Sequence, residues 1–443
     1  MLKILMRTVV VVGAMSSVAL ATMSGIAFAA EETAPASAPE TAPAADAAAE
    51  PAPPVDPVVE RGKYLAAAGN CISCHTRPGG EPFAGGLPFE AQVMGLRGTI
   101  HSTNITPDAE TGIGKWTEAD MIKAMHEGVA PGGRHLLPAF PYTAFTKVTD
   151  DDVKAIYAYL KTVTPVKYTA PGNSFIFSQR WTMAIWNALF FKPGRFEAVA
   201  GKSEDYNRGA YLVDGLGHCS ACHSPRNFAG AEIASKAYAG GSILDHVGKE
   251  KDNKIRAWSA PNLTPVKGGL ASWTLNDISR YLQKGFSTAR AGSFGPMNEV
   301  IANSMRHMND ADIKAIATYI KELPPQEPVM AKITPEQAKA GEKIYERCKE
   351  CHQASGRGGM FSAPPLAGSA IVQAADPSSL INAILYGPKT PEAEMGSFGS
   401  WETMKSYDDI LSDQDVADVA NYIRGSWDNV GGPVTAADVA KQR

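Results

Sequence analysis

The feature that most constrains this chain is a pentapeptide, Cys-x-x-Cys-His, which occurs three times and uses all six cysteines. Two thiols one helical turn apart can each add to a vinyl group of one haem, and the adjacent imidazole then reaches the iron. Each copy therefore predicts one covalently attached haem c. The predicted attachment residues are Cys71 and Cys74, Cys219 and Cys222, and Cys348 and Cys351, and the predicted iron ligands are His75, His223 and His352.

Cysteine pairs also occur in structural zinc sites, redox dithiols and disulfide frameworks. A zinc site would need a second Cys or His pair at ligand spacing near each first pair, whereas the three pairs here lie far apart along the chain. A single motif would be a fair signal, and three copies with no cysteine left over are a strong one. The pattern favours three haems.

Length and charge bound the remaining possibilities. At roughly 150 residues per domain, 443 residues predict about three domains, which agrees with the number of motifs. The net charge of -4 comes from interspersed charges of both signs and provides no basic surface for nucleic acid. We therefore expect no nucleic acid partner.

The N-terminus has the pattern of an export signal over residues 1–29. Lys3 and Arg7 precede a long apolar run that ends in Ala27-Phe28-Ala29, a small-x-small cleavage site. An uncleaved anchor is the alternative, although glycines and serines interrupt the run. Residues 30–57 are mostly Ala, Pro, Glu and Thr, which predicts a disordered linker. We expect the chain to be exported to the periplasmic side of the cytoplasmic membrane.

A pair of helices is predicted around each motif. Three N-caps, each followed three residues later by aspartate, open amphipathic helices whose apolar positions step by three and four. These caps are Thr149, Asn309 and Ser412. A short helix before each motif carries a glycine that would let the later helix cross closely. These glycines are Gly62, Gly209 and Gly341.

These repeats predict an all-α fold of three similar tandem domains joined by short linkers, and together with the Cys-x-x-Cys-His motifs they resemble class I cytochrome c domains. The predicted domains cover residues 58–168, 201–326 and 334–430, called here the first, second and third repeats. Residues 169–200 form an apolar inter-domain segment, and residues 431–443 form a C-terminal tail.

The segment from Ser174 to Phe196 is the most apolar stretch outside the leader and is rich in aromatic residues. It is too short and too interrupted to span a bilayer. Its aromatic residues and basic flanks would suit a surface that enters the membrane interface or contacts a quinone-bearing partner. Ordinary packing between domains is the alternative, and the sequence leaves both open.

Several motifs resemble those of class I cytochromes c, and more closely those of the three-haem cytochrome subunit of membrane-bound dehydrogenases of acetic acid bacteria and their relatives. Beside the three pentapeptides, the motifs are Asn104–Asp108 with Gly112–Gly114, Leu137–Tyr142, Gly217–Cys219 and Pro364–Gly368. The resemblance runs from about Val58 to the C-terminus. It implies a catalytic partner that holds pyrroloquinoline quinone, flavin or molybdopterin, and it implies ubiquinone as the electron acceptor.

A haem that only carries electrons needs a second axial ligand, and a thioether raises its potential by favouring ferrous iron. In the second repeat Met297, between Trp273 and the Asn309 cap, is the predicted ligand, while Met305 and Met308, nearer the closing helix, are expected to pack. In the third repeat the family spacing matches Met404, with Met395 as the alternative. For Trp273 itself, and for Trp116 in the first repeat, we expect core packing.

The first repeat departs from this pattern. Phe140 stands where many family members have methionine in a Pro-Ala-Met-Pro-Tyr sequence, and phenylalanine cannot bind iron. We rank His135 first as the replacement ligand. The alternatives are Met121, Met125 and His126, or a five-coordinate haem with an open position.

The sequence favours an electron-transfer subunit with no catalytic residues of its own for substrate chemistry. Its expected partners are a catalytic dehydrogenase subunit, ubiquinone and the membrane surface. A haem peroxidase that uses an open first haem is one alternative, and a freely diffusing electron shuttle is another.

Overall fold

The computed structural model describes residues 56–93, 95–174, 180–247, 254–388, 401 and 403–443. In these residues the α-helices are α1 Pro57–Ala68, α2 Cys71–Cys74, α3 Glu118–Glu127, α4 Tyr142–Phe145, α5 Asp150–Leu160, α6 Arg180–Phe190, α7 Glu204–Tyr211, α8 Ser220–His223, α9 Leu275–Lys284, α10 Pro296–Asn303, α11 Asp310–Lys321, α12 Pro335–Tyr345, α13 Lys349–His352, α14 Ser378–Tyr386, α15 Asp413–Gly425 and α16 Ala436–Ala440. The strands are β1 Pro88–Val93, β2 Leu96–His101, β3 Val129–Ala130, β4 Arg134–His135, β5 Gly241–Val247, β6 Lys254–Ala260, β7 Phe286–Ser287 and β8 Ala291–Gly292.

Each repeat is built on a crossed pair of helices, α1 with α5, α7 with α11, and α12 with α15. The predicted glycines lie at the crossing points. A Cβ atom would stand 1.9 Å from the Ala155 carbonyl oxygen at Gly62, and 2.0 Å from a carbonyl oxygen of the partner helix at Gly209 and Gly341. The predicted pairing of opening and closing helices is therefore confirmed.

The closing helices begin where the sequence predicted. The side chains of Thr149, Asn309 and Ser412 accept hydrogen bonds from the backbone N–H of the aspartate three residues later, at 3.2, 2.8 and 3.1 Å. Such caps satisfy donors that the first helical turn leaves unpaired.

The all-α prediction is wrong in part, because the described residues contain four two-stranded antiparallel sheets. Two of these sheets are β-hairpins of substantial length. Strand β1 pairs with β2 from Pro88 opposite His101 to Val93 opposite Leu96, and β5 pairs with β6. The turn of the first hairpin includes Gly95 at φ +77°, a conformation that glycine adopts without strain. The strands form because they pair with each other and contact other elements, although apolar and polar residues alternate only weakly in their sequences.

The two hairpins join the repeats. Glu90 on β1 accepts a hydrogen bond from His246 on β5 at 3.0 Å, which links the first repeat to the second. Strand β6 contacts α14 of the third repeat, where the Ser259 backbone N–H donates to Ser379 at 2.9 Å. The β5–β6 hairpin therefore touches both neighbours.

The buried apolar residues form two clusters. One runs through the first and second repeats without a break, includes Leu65, Val153, Leu212 and Ile313, and also contains Ala370 of the third repeat. The other belongs to the third repeat. Both Trp116 and Trp273 pack on the first cluster, as expected. The domain boundaries stay predictions, but the first two repeats share one core.

The inter-domain segment and the C-terminal tail both contain helices. Helix α6 docks through Met183, which is buried, and through Trp186, whose indole N–H donates to the Ala229 carbonyl at 3.0 Å. Helix α16 packs on α15, with Val439 buried. In the part of the chain described here, no helix is long and apolar enough to cross a bilayer.

Candidate haem sites

Each Cys-x-x-Cys-His motif forms one short helical turn a few residues after an opening helix, and in the second repeat the π-helix Leu212–Leu216 lies between the two. The turns are α2 in the first repeat, α8 in the second and α13 in the third. All six cysteine side chains are half-buried, and none of them forms a disulfide. One turn of helix sets the two sulfurs of each pair side by side, as attachment to one porphyrin requires.

The ring of each motif histidine is held by a backbone carbonyl. The Nδ1 to oxygen distances are 2.6 Å from His75 to Thr103, 2.8 Å from His223 to Pro261, and 3.0 Å from His352 to Pro364. Because a carbonyl only accepts hydrogen bonds, Nδ1 carries the proton and Nε2 is left with its lone pair. This is the tautomer that a metal ion needs.

The loops that contain these acceptor carbonyls are a functional element that was not predicted from the sequence. In the first two repeats the acceptor residue directly precedes an asparagine whose side chain shapes the loop. The Asn104 Oδ1 accepts from the Thr106 N–H at 2.9 Å, and the Asn262 Oδ1 accepts from the Thr264 N–H at 2.8 Å. The repeated Asn-x-Thr-Pro sequence was the available signal, and it gave no indication that the preceding carbonyl binds the histidine.

Burial lowers the pKa of all three motif histidines, and the carbonyl hydrogen bonds oppose this shift only in part. Desolvation disfavours the charged imidazolium. The neutral ring, which is the form that binds iron, is therefore favoured.

Burial also raises the pKa of the motif thiols. The pKa is about 12 for Cys71, Cys74 and Cys219, and about 11 for Cys348. The buried thiols are therefore neutral. Among the described residues, no three side chains of His, Cys, Asp or Glu come together in a group that could hold a metal ion. These surroundings fit neutral thioether links to haem.

A cavity of about 430 Å³ joins the second and third sites. Apolar residues such as Leu263, Trp273, Leu366 and Leu380 line it. It is also lined by Cys219, Cys222, His223 and Met297 of the second repeat, and by Cys348, Cys351, His352 and Met404 of the third. In each of these two repeats, two cysteine sulfurs, a histidine imidazole and a methionine thioether surround an apolar space, and this arrangement fits one haem.

The structure brings each predicted methionine to the same cavity as its histidine. Met297 lies in the first turn of α10, and Met404 is half-buried in the segment before α15. Met395 lies outside the described residues. Iron coordination by Met297 and Met404 stays a prediction.

Replacing Met297 with Leu is expected to abolish the methionine-to-iron absorption of one haem, because leucine has no donor atom. All haems should stay attached, since the three cysteine pairs and their histidines are untouched. The optical spectrum of the oxidised protein measures the effect. Met308→Leu is the matched control, because Met308 is buried and packs in the same core. An unchanged spectrum in Met297→Leu would reject the assignment.

The residues predicted around the first site have other neighbours in the structure. Phe140 packs against Phe145 with ring centroids 5.3 Å apart. Met121 and Met125 are buried in the shared core. His126 is also buried, with its Nδ1 3.6 Å from an Asp150 carboxylate oxygen. These contacts favour packing roles for the alternatives to His135.

His135 lies on β4, which packs against α6. Its coordination of the first haem stays a prediction. His135→Ala should shift the absorption and electron paramagnetic resonance of one haem, because that iron would lose or exchange an axial ligand. Spectra identical to those of the parent protein would show that another residue, or none, binds there.

His218, which directly precedes Cys219, lies between the first and second repeats. Its Nε2 is 3.4 Å from the Gly69 carbonyl oxygen, and its ring meets the Phe145 ring edge to face at 5.5 Å. It also lines the cavity. In the sequence His218 stands out only as part of the Gly217–Cys219 motif, whereas the structure shows that it contacts the first repeat.

A crossed helix pair above a Cys-x-x-Cys-His turn, with the histidine held through Nδ1 by a carbonyl, is the arrangement of a c-type cytochrome. The family model for cytochrome c matches residues 59–164, 206–324 and 338–427, one segment in each repeat. This class implies covalently bound haem c.

Individual proteins similar to this chain define its class more narrowly than the family model does. The cytochrome c subunit of alcohol dehydrogenase (quinone) from Komagataeibacter europaeus is 39% identical, over 87% of this chain and 84% of that protein. The cytochrome c subunit of gluconate 2-dehydrogenase from Pantoea cypripedii is 39% identical, over 88% of this chain and 90% of that protein. One of the subunits of nicotinate dehydrogenase from Pseudomonas putida is also 39% identical, but this chain spans only 30% of its length. The chain therefore belongs to the family of dehydrogenase cytochrome c subunits, and the resemblance seen in the sequence is confirmed.

Proposed function

We propose that this chain is the three-haem electron-transfer subunit of a dehydrogenase complex at the periplasmic side of the cytoplasmic membrane. It takes electrons from a catalytic subunit of quinoprotein, flavoprotein or molybdenum type and passes them to ubiquinone. The observation that carries the proposal is the threefold repetition of one site, with the same cysteine pair, the same Nδ1-bonded histidine and the same crossed helices. Relatives named as dehydrogenase cytochrome subunits support it.

Haem c supplies one-electron oxidation and reduction when it is bound. The chain's own residues hold the porphyrin and set its surroundings. Each cysteine pair would hold one haem through thioether links and the motif histidine would present a neutral Nε2. At the second and third sites the apolar lining would exclude water, which sets the local dielectric and with it the potential. None of these residues activates an organic substrate, so substrate oxidation belongs to the partner.

Helix α6 supports contact with a membrane surface. Trp181, Ile185 and Leu189 lie four residues apart on one face and are 67%, 55% and 69% exposed. The opposite face is docked, where Asn187 accepts a hydrogen bond from the Tyr142 hydroxyl at 2.6 Å. Residues 174–196 contain no acidic residue. An exposed apolar face in a segment whose own charged residues are all basic suits the interface of an anionic bilayer.

The double variant Trp181→Ser with Leu189→Ser should bind vesicles of phosphatidylglycerol and phosphatidylethanolamine at least about tenfold more weakly, because each large apolar side chain contributes roughly 1.5–3 kcal/mol when buried. Co-sedimentation measures the binding. Leu275→Ser with Val329→Ser, which alters two exposed side chains elsewhere, is the control. Equal binding by the two double variants would remove α6 from the membrane contact.

Purification from native membranes tests the proposal as a whole. The chain should co-purify with a large quinoprotein, flavoprotein or molybdenum subunit, and its denatured mass should include three haems. The chemically reduced chain should be reoxidised by a short-chain ubiquinone. A mass with fewer than three haems would remove the three-site assignment. A solitary chain that turns over peroxide would favour the peroxidase instead.

A further inference from the structure

Two buried aspartates join the first and second repeats in a reciprocal way. The first is Asp152 on α5, whose side chain is 3% exposed. It accepts a hydrogen bond at 2.8 Å from Arg61 on α1 of its own repeat. Its other oxygen accepts a hydrogen bond at 2.6 Å from the hydroxyl of Tyr211, which is on α7 of the second repeat. One carboxylate therefore binds both repeats.

The same arrangement occurs in the opposite direction. Asp312 on α11 accepts two hydrogen bonds from Arg208 of its own repeat, each at 2.7 Å. It accepts a third at 2.6 Å from the hydroxyl of Tyr64, on α1 of the first repeat. Burial alone would raise the pKa of Asp312, but hydrogen bonds from Arg208 and Tyr64 lower it, so the carboxylate is charged. Each of the two repeats therefore donates a tyrosine hydroxyl hydrogen bond to the aspartate of the other.

The third repeat has a different arrangement at the matching positions. Relative to Gly341, the positions of the arginine and the tyrosine are occupied by Ala340 and Lys343. The matching aspartate, Asp415, accepts instead from the Ser412 hydroxyl and backbone N–H in a complete capping box. In the first two repeats the carboxylate faces the Arg–Tyr pair. The exchange of tyrosines thus distinguishes one pair of repeats.

Further hydrogen bonds extend this interface to the first Cys-x-x-Cys-His motif. The Ser304 hydroxyl of the second repeat donates to the Ala68 carbonyl at 3.1 Å, and the Asn303 amide donates to the Ser73 hydroxyl at 2.8 Å. Ser73 lies between Cys71 and Cys74. The backbone that carries the first haem site is therefore held by the second repeat, and the two repeats share one core.

We propose that Tyr64 and Tyr211 are positioning residues that fix the separation of the first and second haem sites, so that these two repeats act as one rigid electron-transfer unit. The third repeat is attached to this unit through the β5–β6 hairpin and α14. When one electron passes between the first two sites, one site is oxidised and the other is reduced, and no further reactant is needed. The rate of this electron transfer depends on the distance between the two sites, which the tyrosines fix.

This inference rests on the part of the proposed function that places a haem at the first and second motifs. It does not depend on the dehydrogenase partner or on ubiquinone. The denatured mass is measured first, so a missing haem is distinguished from a failure of the positioning role.

The test is the double variant Tyr64→Phe with Tyr211→Phe in the full-length protein with its haems attached. Loss of two buried hydrogen bonds should raise amide hydrogen exchange in α1 and α7 by about tenfold or more. After flash reduction, one phase of electron redistribution among the haems should slow, while the optical spectra that report the axial ligands stay unchanged. Each single variant should give a smaller change in the same direction.

Tyr386→Phe is the matched control, because its hydroxyl donates to the Gln442 carbonyl at 2.8 Å and so joins the third repeat to the C-terminal tail. It should leave both measurements unchanged. Faster hydrogen exchange with unaltered electron redistribution would reduce the tyrosines to a structural role and overturn the proposal. An equal effect of Tyr386→Phe, or no effect of the double variant on either measurement, would overturn it as well.

Discussion

Gly341→Ala is expected to lower the free energy of unfolding of the third repeat by about 3 kcal/mol or more. The new Cβ would lie 2.0 Å from the Asp418 carbonyl oxygen and 2.5 Å from its carbonyl carbon. Both are backbone atoms, so α12 and α15 must move apart and expose the core between them. Denaturant unfolding followed by far-ultraviolet circular dichroism measures the change.

Gly425→Ala is the control for this substitution. Gly425 lies in α15 of the same repeat, and a Cβ there would find its nearest atoms in Ile333, at 3.5 Å, which is ordinary contact. Stability should therefore change little, or rise slightly because alanine restricts the unfolded chain. Similar destabilisation by both substitutions would show that the close crossing is not the cause.

Cys219→Ser with Cys222→Ser is expected to remove one covalently bound haem completely. Serine hydroxyls do not form thioether links, and the other two motifs lie in separate helical turns. The denatured mass should fall by one haem, and the protein should be less stable because part of an apolar cavity loses its contents. Ser220→Ala, within the same motif, keeps both sulfurs and should retain every haem. An unchanged mass in the double variant would refute covalent attachment at this site.

The closing helices could be predicted because their signals are local. A cap such as Thr149 and apolar positions spaced by three and four lie within one segment, and the glycine at each crossing is visible as a repeat. The hairpins could not be predicted in the same way. Their stability comes from pairing and from contacts with other repeats, such as Glu90 with His246.

The haem motifs were evident in the sequence because two cysteines and a histidine are adjacent. The residues that orient the histidine were not evident, since a backbone carbonyl such as that of Thr103 leaves no trace in side-chain identity. The contact of Tyr64 with Asp312 joins residues that are distant in sequence. No local pattern encodes such a pair, and this is why the division into three similar repeats did not indicate that two of them share a core.

The cavity common to the second and third sites has a consequence for the final stage of folding. Its wall includes residues of both repeats, such as Leu263 and Met404. The wall is therefore incomplete until the C-terminal part of the chain has docked. The low-polarity shell around a haem sets its potential. The third repeat would therefore shield a haem in the second repeat from water, and a chain truncated before it is expected to leave that haem in a more polar medium, at a lower potential.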